Sequence, residues 1–293
     1  KKETAPKGLK WYDLHVDHLT GGHSGMEIGL GRGNANQIIA RFLWEITQKY
    51  DLALASMDGG NLANAIPREC HAIVGVTADN AEDFERSVVA FRDMLYAEYL
   101  LSEGNSFIFA ALPVSEPENV IDGVTAKNLI AALFACPNGV QGMSRAVEGL
   151  IETSDNLASV KMKEGDIIEI TVHQRSSIDS RRDEIADRVK ALFTMIGAEV
   201  SFDDAYVGWA PNQNSRVLKV AEQSFEDLFG YKPRVEALHA GLECGLFLEK
   251  MPDLDMISFG PTLKDIHSPG EKANIPSVAQ FWKFLCDILR RLA

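Results

Sequence analysis

The sequence predicts a mixed α/β protein: a helix-backed antiparallel sheet, then a shorter α/β segment. Three observations carry this expectation. Residues 10–19 and 168–173 alternate apolar and polar side chains, the period-2 pattern of half-buried strands. Two helical patterns are interleaved with strand patterns in the order β-α-β-β-α-β, the ferredoxin-like order. From about residue 207 helical patterns prevail, with short strand-like runs between them.

In chain order, Tyr12, Leu14 and Val16 fall on one parity of the first strand, and Asp13, His15 and Asp17 on the other. A Gly-rich stretch, GGHSGMEIGLGRGNAN, leads to a helix that Asn34 or Asn36 can cap. Its apolar residues Ile38, Ile39, Phe42, Leu43 and Ile46 follow a 3.6-residue period. Leu52 to Met57 and His71 to Val76 read as strands on either side of the Gly59-Gly60 turn region. A helix over Ala81 to Leu101 places Phe84, Val88, Phe91, Leu95 and Tyr99 on one face, and Phe107 to Leu112 forms the next strand. Further strands are expected over Ile151 to Lys163 and around Ile168 to Val172. A helix from Arg181 to Ile196 follows, with Ser180 as N-cap and Gly197 as its stop, and then a strand over Glu199 to Tyr206. The last part reads as a helix from Ser215 to Phe229 and a strand from Arg234 to Leu238. After these come a helix from Gly241 to Met251, a core strand from Asp255 to Phe259 and a final helix opened by Pro276.

Composition excludes several classes. The formal net charge of −13 opposes a polyanionic partner, so nucleic-acid binding is not expected. No run of about 18 apolar residues is present, so no transmembrane helix is expected. Cys70, Cys136, Cys244 and Cys286 are far apart with no CxxC pair, which favours reduced thiols in a cytoplasmic protein. HExxH and GxSxG motifs are absent.

Three residues stand out chemically. His267 lies in a loop after a strand-like run, where α/β sheets place ligands, with Glu271 near enough to orient it. A loop histidine is also a common surface side chain. His23 is flanked by glycines that let backbone approach a ligand, and its imidazole suits a developing oxyanion; a flexible turn is the plainer reading. Arg175 ends a strand and suits a bidentate carboxylate clamp, or a solvated strand end. Two patterns mislead. His15-Val16-Asp17 has His-x-Asp spacing but simply shares a polar strand face with Asp13. GLGRGN resembles a phosphate loop without the GK[ST] ending.

Six segments occur in order: GGHSGMEIGLGRGNAN, GGNLANAIPRE, ETSDNLASV, HQRSSIDSRRDE, LHAGLECGLF and FGPTLKDIHSPGE. Together they resemble the aminoacyl-histidine dipeptidases of the M20 metallopeptidase family, over essentially the whole chain. The resemblance implies an α+β lid domain, residues 8–206, that mediates homodimerisation. It implies that residues 207–293 are the C-terminal part of an α/β/α zinc-peptidase catalytic domain. It further implies hydrolysis of dipeptides, of the Xaa-His type, at a centre of two Zn²⁺ ions in a cytoplasmic enzyme. Residue by residue, His267 matches a zinc ligand and His23 the lid histidine that polarises the scissile carbonyl. Arg175 matches the arginine that holds the substrate carboxylate. Asn64 and Glu243 match positions near substrate. The family's other zinc ligands and its general-base glutamate lie before the lid and are not found in these 293 residues. One imidazole cannot build a four-coordinate zinc site. The expectation is therefore that this chain alone binds zinc poorly and is inactive, a dimerising and substrate-contacting module. An M20 peptidase or deacylase with another substrate is the alternative.

Overall fold

The computed structural model describes residues 2–293 except 146, 204–207, 210–211, 213, 237–242 and 265–270; residues 243 and 249 are described in backbone only. Two compact units emerge, one drawn from Lys1–Asp204 and the other from Ala205–Ala237 and Gly241–Ala293.

The first unit contains strands β1 (Lys2–Thr4), β2 (Leu9–Asp17) and β3 (Gly22–His23), helix α1 (Ala35–Thr47), and strands β4 (Ala53–Gly59), β5 (Ala65–Ile66) and β6 (Cys70–Thr77). Helix α2 (Ala78–Glu98), β7 (Ile108–Val114), β8 (Asn119–Ile121), α3 (Gly123–Ala135), β9 (Gly139–Met143), β10 (Ile151–Lys163), β11 (Ile167–Ser176) and α4 (Asp179–Met195) follow. The main sheet runs β11-β10-β4-β6-β2-β7, with β9 alongside β10. Its β4-β6-β2-β7 portion, built from β2-α1-β4-β6-α2-β7 and antiparallel throughout, is the ferredoxin-like arrangement.

Alternation explains the layers. Tyr12, Leu14 and Val16 of β2 and Cys70, Ala72 and Val74 of β6 are buried in one core with Ile39, Phe42, Leu43 and Ile46 of α1 and Phe84, Phe91 and Leu95 of α2. Phe42 packs edge-on against Phe84, Phe91 and Phe109, at centroid distances of 5.7, 5.1 and 5.3 Å. Trp11 and Ala55 point to the opposite face, where Ala5 and Val120 cover them.

Asn34 caps α1, accepting from the Gln37 N–H at 3.2 Å. Its amide also crosses to the sheet: Nδ2 donates to Asn138 Oδ1 at 2.9 Å and to the Leu157 carbonyl at 3.1 Å. Asn36 donates to the same carbonyl at 3.1 Å, and Asn138 Oδ1 receives the Leu157 N–H at 3.0 Å. These bonds meet β10 where its register with β11 slips, between Leu157 and Ser159. Gly60, at φ +68°, passes so close to the Ala158 carbonyl that a Cβ there would overlap it.

Several elements differ from expectation. Helix α3 was not anticipated: Ala126, Leu129, Ile130 and Leu133 are buried on one face, but exposed Val124 and Phe134 break the polar stripe opposite. Helix α4 starts after Ile178, which makes no side-chain cap, and Ser180 lies inside it. Gly197, at φ +81°, follows its end as expected. Residues 199–203 are not a strand; the rest of that expected strand lies outside the described residues.

The second unit holds α5 (Arg216–Phe229), α6 (Glu243–Lys250), a short pair β12 (Leu263–Lys264) and β13 (Lys272–Ala273), and α7 (Ile275–Leu292). Ser215 and Asn274 cap α5 and α7, and Gly230 closes α5 in the left-handed region. Ala221, Phe284 and Ile288 centre its small core. The run 255–259, expected as a core strand, pairs with no described residue, and 234–236 is likewise irregular. An apolar run becomes a strand only when another backbone answers its N–H and C=O groups.

Replacing Asn34 by Ala removes a cap and orphans partners on β10. Urea denaturation should show a loss of roughly 2–4 kcal/mol, the sum of a cap and a buried hydrogen bond, in a chain that still folds.

Candidate functional site

The Gly-rich stretch folds into a compact loop whose side chains hold its own backbone. His23 pairs with Ala65 in the two-stranded β3–β5 ribbon. Its Nδ1 accepts the N–H groups of Gly25 and Met26, both at 3.1 Å. An imidazole nitrogen that accepts carries no proton, so the neutral ring bears its N–H on Nε2. The loop thus fixes His23 in the tautomer whose Nε2 donates.

Glu27 completes the arrangement. Its Oε2 accepts the His23 N–H at 2.8 Å, and Oε1 lies 2.9 Å from Arg32 Nη1. The His23 backbone bond, followed by the Arg32 cation, holds the Glu27 carboxyl below the usual range despite partial burial. Arg32 in turn donates to the Gly21 carbonyl. Gly22, at φ +132°, leaves no space for a Cβ beside Arg32 and Glu27. Buried Glu103 braces the loop at both ends, accepting from Thr20 N at 2.7 Å and Gly33 N at 2.8 Å. In the GLGRGN segment, a carboxylate on Gly33, the Asn34 cap and the Pro67 carbonyl on Ala35 N occupy the donors a phosphate would need.

Asn64 is exposed and immediately precedes β5; its carbonyl accepts from Ser24 N at 2.8 Å. The adjoining turn is held from beneath. Asn156 Nδ2 donates to the carbonyls of Ala63, at 3.3 Å, and Ala65, at 2.9 Å. His173 Nδ1 lies 3.0 Å from the Ala63 carbonyl. Burial pushes the His173 imidazole below its ordinary value, with Arg175 and then His23 adding to the effect.

Arg175 stands opposite Ser154 on the β10–β11 ladder, half-buried. Its Nε is buried without a hydrogen-bond partner among the described residues, and burial lowers its affinity for the proton. Among the described residues no carboxylate pairs with it. A guanidinium remains charged even so, so a desolvated cation with an open donor is left at the site.

His23, Asn64 and Arg175 are therefore all in the first unit; His23 and His173 meet the 63–65 turn, and Arg175 lies two residues beyond His173 on β11. Glu243 opens α6, but its side chain, like His267, lies outside the described residues. His15 is not joined by Asp17; it faces Asp13 and His71. His173, Asn156, Glu27 and Glu103 were not anticipated as part of this framework. His173 and Glu103 carry no local motif, since their partners are 110 and up to 83 residues away.

The comparisons with known proteins now have a geometry to meet. Residues 4–102 match the peptidase dimerisation domain of the M20 type. The chain is 37% identical over 294 residues to the cytosol non-specific dipeptidase of Escherichia coli K12, covering 99% of this chain and 60% of that protein. Residues 4–102 thus resemble an M20-type peptidase dimerisation domain. The crystal structure of aminoacylhistidine dipeptidase from Vibrio alginolyticus superposes with a TM-score of 0.91 at 37% identity, covering 99% of this chain and 59% of that one. The chain thus spans about three fifths of the length of the relatives it matches. The mixed α/β class and the M20 likeness read from the sequence are both upheld. No helix among the described residues is long and apolar enough to cross a membrane.

Two outcomes test the framework. Glu103→Ala should speed hydrogen exchange across residues 20–33 and cost roughly 1–3 kcal/mol, because two buried N–H groups lose their acceptor. Asp155, buried on β10 with Oδ2 unpartnered among the described residues, has its carboxyl pushed up to about 7 by burial. The folded chain then keeps a proton that the unfolded chain releases near the ordinary carboxylate value. Stability should be greatest below that value and decline as pH rises toward about 7, by a few kcal/mol in total. Asp155→Asn should flatten this dependence in denaturation curves taken between acid and neutral pH.

Proposed function

We propose that the complete protein hydrolyses dipeptides at a centre of two zinc ions, as a cytoplasmic homodimer joined through the lid. Residues 8–206 are the lid, and residues 207–293 contribute part of the catalytic domain. The observation that carries this reading is the lid site itself. A histidine locked with its N–H on Nε2 and a desolvated arginine that no described carboxylate answers both act on His173 between them.

The roles follow from chemistry. Arg175 holds the terminal carboxylate of the peptide, an anion that supplies the missing partner. Asn64, exposed at the turn, contacts the substrate backbone. Nε2 of His23 donates to the carbonyl oxygen as charge develops there, a fixed donor that needs no reorganisation. Glu243 lines the cleft and His267 is one zinc ligand. When bound, zinc would polarise the carbonyl and activate water. His267 lies outside the described residues, so the geometry of ligation is no part of this reading. The isolated chain is expected to be inactive.

The two relatives bear on specificity. One is named for aminoacyl-histidine substrates and the other as non-specific. A strongly bound carboxylate with few other contacts grips any free dipeptide C-terminus. Xaa-His hydrolysis is the first reading, and a grip on any free C-terminus favours a broader dipeptide range as the second.

In the complete enzyme, His23→Ala should lower kcat about a hundredfold or more with little change in KM, as loss of one oxyanion donor does. Arg175→Lys should raise KM for free dipeptides, and C-terminally amidated dipeptides should be poor substrates of both forms. Equal turnover of acid and amide would exclude the carboxylate clamp. A panel of dipeptides, with acylated amino acids included, separates the substrate classes.

A further inference from the structure

The outer face of the main sheet, opposite α1 and α2, carries a second cluster. Asp13 and His15 lie two residues apart on β2, and His71 stands directly across from His15 on β6. All three have the parity opposite to the core residues Leu14, Val16, Cys70 and Ala72. His71 Nδ1 is 3.1 Å from both oxygens of Asp13, and His15 Nδ1 is 3.8 Å from Asp13 Oδ2. The two imidazoles stack at 5.2 Å with 18° between their planes. One ligand-capable atom from each residue falls within 4.8 Å of the others.

The surroundings favour a cation. Asp58 is the register partner of His71 on β4, with Lys161 at 2.6 Å; Asp17 follows on the same face of β2, beside His18 at 3.4 Å. Among the described residues, Asp13, Asp17 and Asp58 thus lie on this face with Lys161. His15 is only 8% exposed, so its ring is held in place, whereas His71 is exposed and leaves the site open to solvent. Two strands of a sheet packed on its other face fix the Cα positions, which leaves only side-chain rotation to complete the geometry.

We propose that Asp13, His15 and His71 form a binding site for one divalent transition-metal ion of the zinc type. Two imidazoles and one carboxylate are a sufficient three-ligand set for zinc, with water completing the tetrahedron. The ion would replace the contact of His71 with the Asp13 carboxylate and the 3.3 Å contact of His15 Nδ1 with the Asp13 carbonyl, and would clamp β2 to β6. It uses no residue assigned to hydrolysis. It also revises the expectation, drawn from His267 alone, that this chain binds zinc poorly.

The test uses the untagged chain, stripped of metal, with His267→Ala to remove the other assigned ligand. Titration with zinc against a chromophoric chelator should show one ion per chain, and zinc should raise Tm by mass action. Adding His71→Ala, which alters an exposed side chain, or Asp13→Asn should weaken zinc binding more than about tenfold and abolish the Tm shift. Circular dichroism checks that the variants fold. No zinc uptake by the His267→Ala chain would overturn the site, and so would uptake that survives both further substitutions. Neither result bears on the hydrolysis reading, which is read from turnover by the complete enzyme.

Discussion

The buried amide network at the N-terminus of α1 is the interaction on which the candidate site depends. Strand β10 joins the ferredoxin-like sheet through a single ladder pair, Val160 with Gly59. Side chains make up the deficit. Asn34, Asn36 and Asn138 converge on Leu157 from both sides, and Asn156 reaches past them to the 63–65 turn. Buried amides bonded in this way are specific in direction, unlike apolar contacts, so they set where β10 lies and not merely that it packs. Because β11 is registered on β10, the positions of His173 and Arg175 are inherited from the same asparagines. His23 approaches from the other side, through its ribbon with β5.

Much of this fold is legible in the sequence because its signals are local. Alternation over 10–19, the 3.6 period of α1 and α2, and Asn34 ahead of an apolar helix each involve neighbours within one or two turns. The elements that escape have signals that are not local. Helix α3 exposes apolar Val124 and Phe134 beside Lys127 and Asn128, so its outer face is not marked as polar. The run 255–259 is apolar enough for a strand, but pairing is a property of a second backbone and not of the run. The bulge of β10 is invisible until Gly60 and the Asn34 amide are brought beside it.

The same division runs through the site. His23 draws notice because glycines flank it, and Arg175 because it ends an alternating strand. What those residues can do is set from elsewhere. The tautomer of His23 follows from the N–H groups of Gly25 and Met26, and the loop that presents them is held by Glu103. Nothing near His173 in sequence points to the Ala63 carbonyl. His15 is a sharper case. His-x-Asp spacing draws attention to Asp17, yet β-strand geometry offers His15 a nearer carboxylate in Asp13, and only the β2–β6 register reveals His71 opposite it.

Electrostatics unites these features. A chain with a formal charge of −13 repels an anionic peptide at long range. The candidate site counters this locally by concentrating donors and disposing of carboxylates. Glu27, the acid nearest His23, is spent on the His23 N–H and Arg32. Asp155, close along β10, has its carboxyl pushed up by burial toward neutrality, and so withholds part of its charge. His173 is driven toward its neutral form by burial and by Arg175. Arg175 is left as the charge at the site that nothing described compensates. A desolvated cation of this kind gains most from an anion that brings its own negative charge and leaves its water behind. A free peptide carboxylate meets that requirement, and an amide or an ester does not. Under the proposed carboxylate clamp, selectivity for chain ends would follow from the burial of one guanidinium, while the amide network keeps it in place.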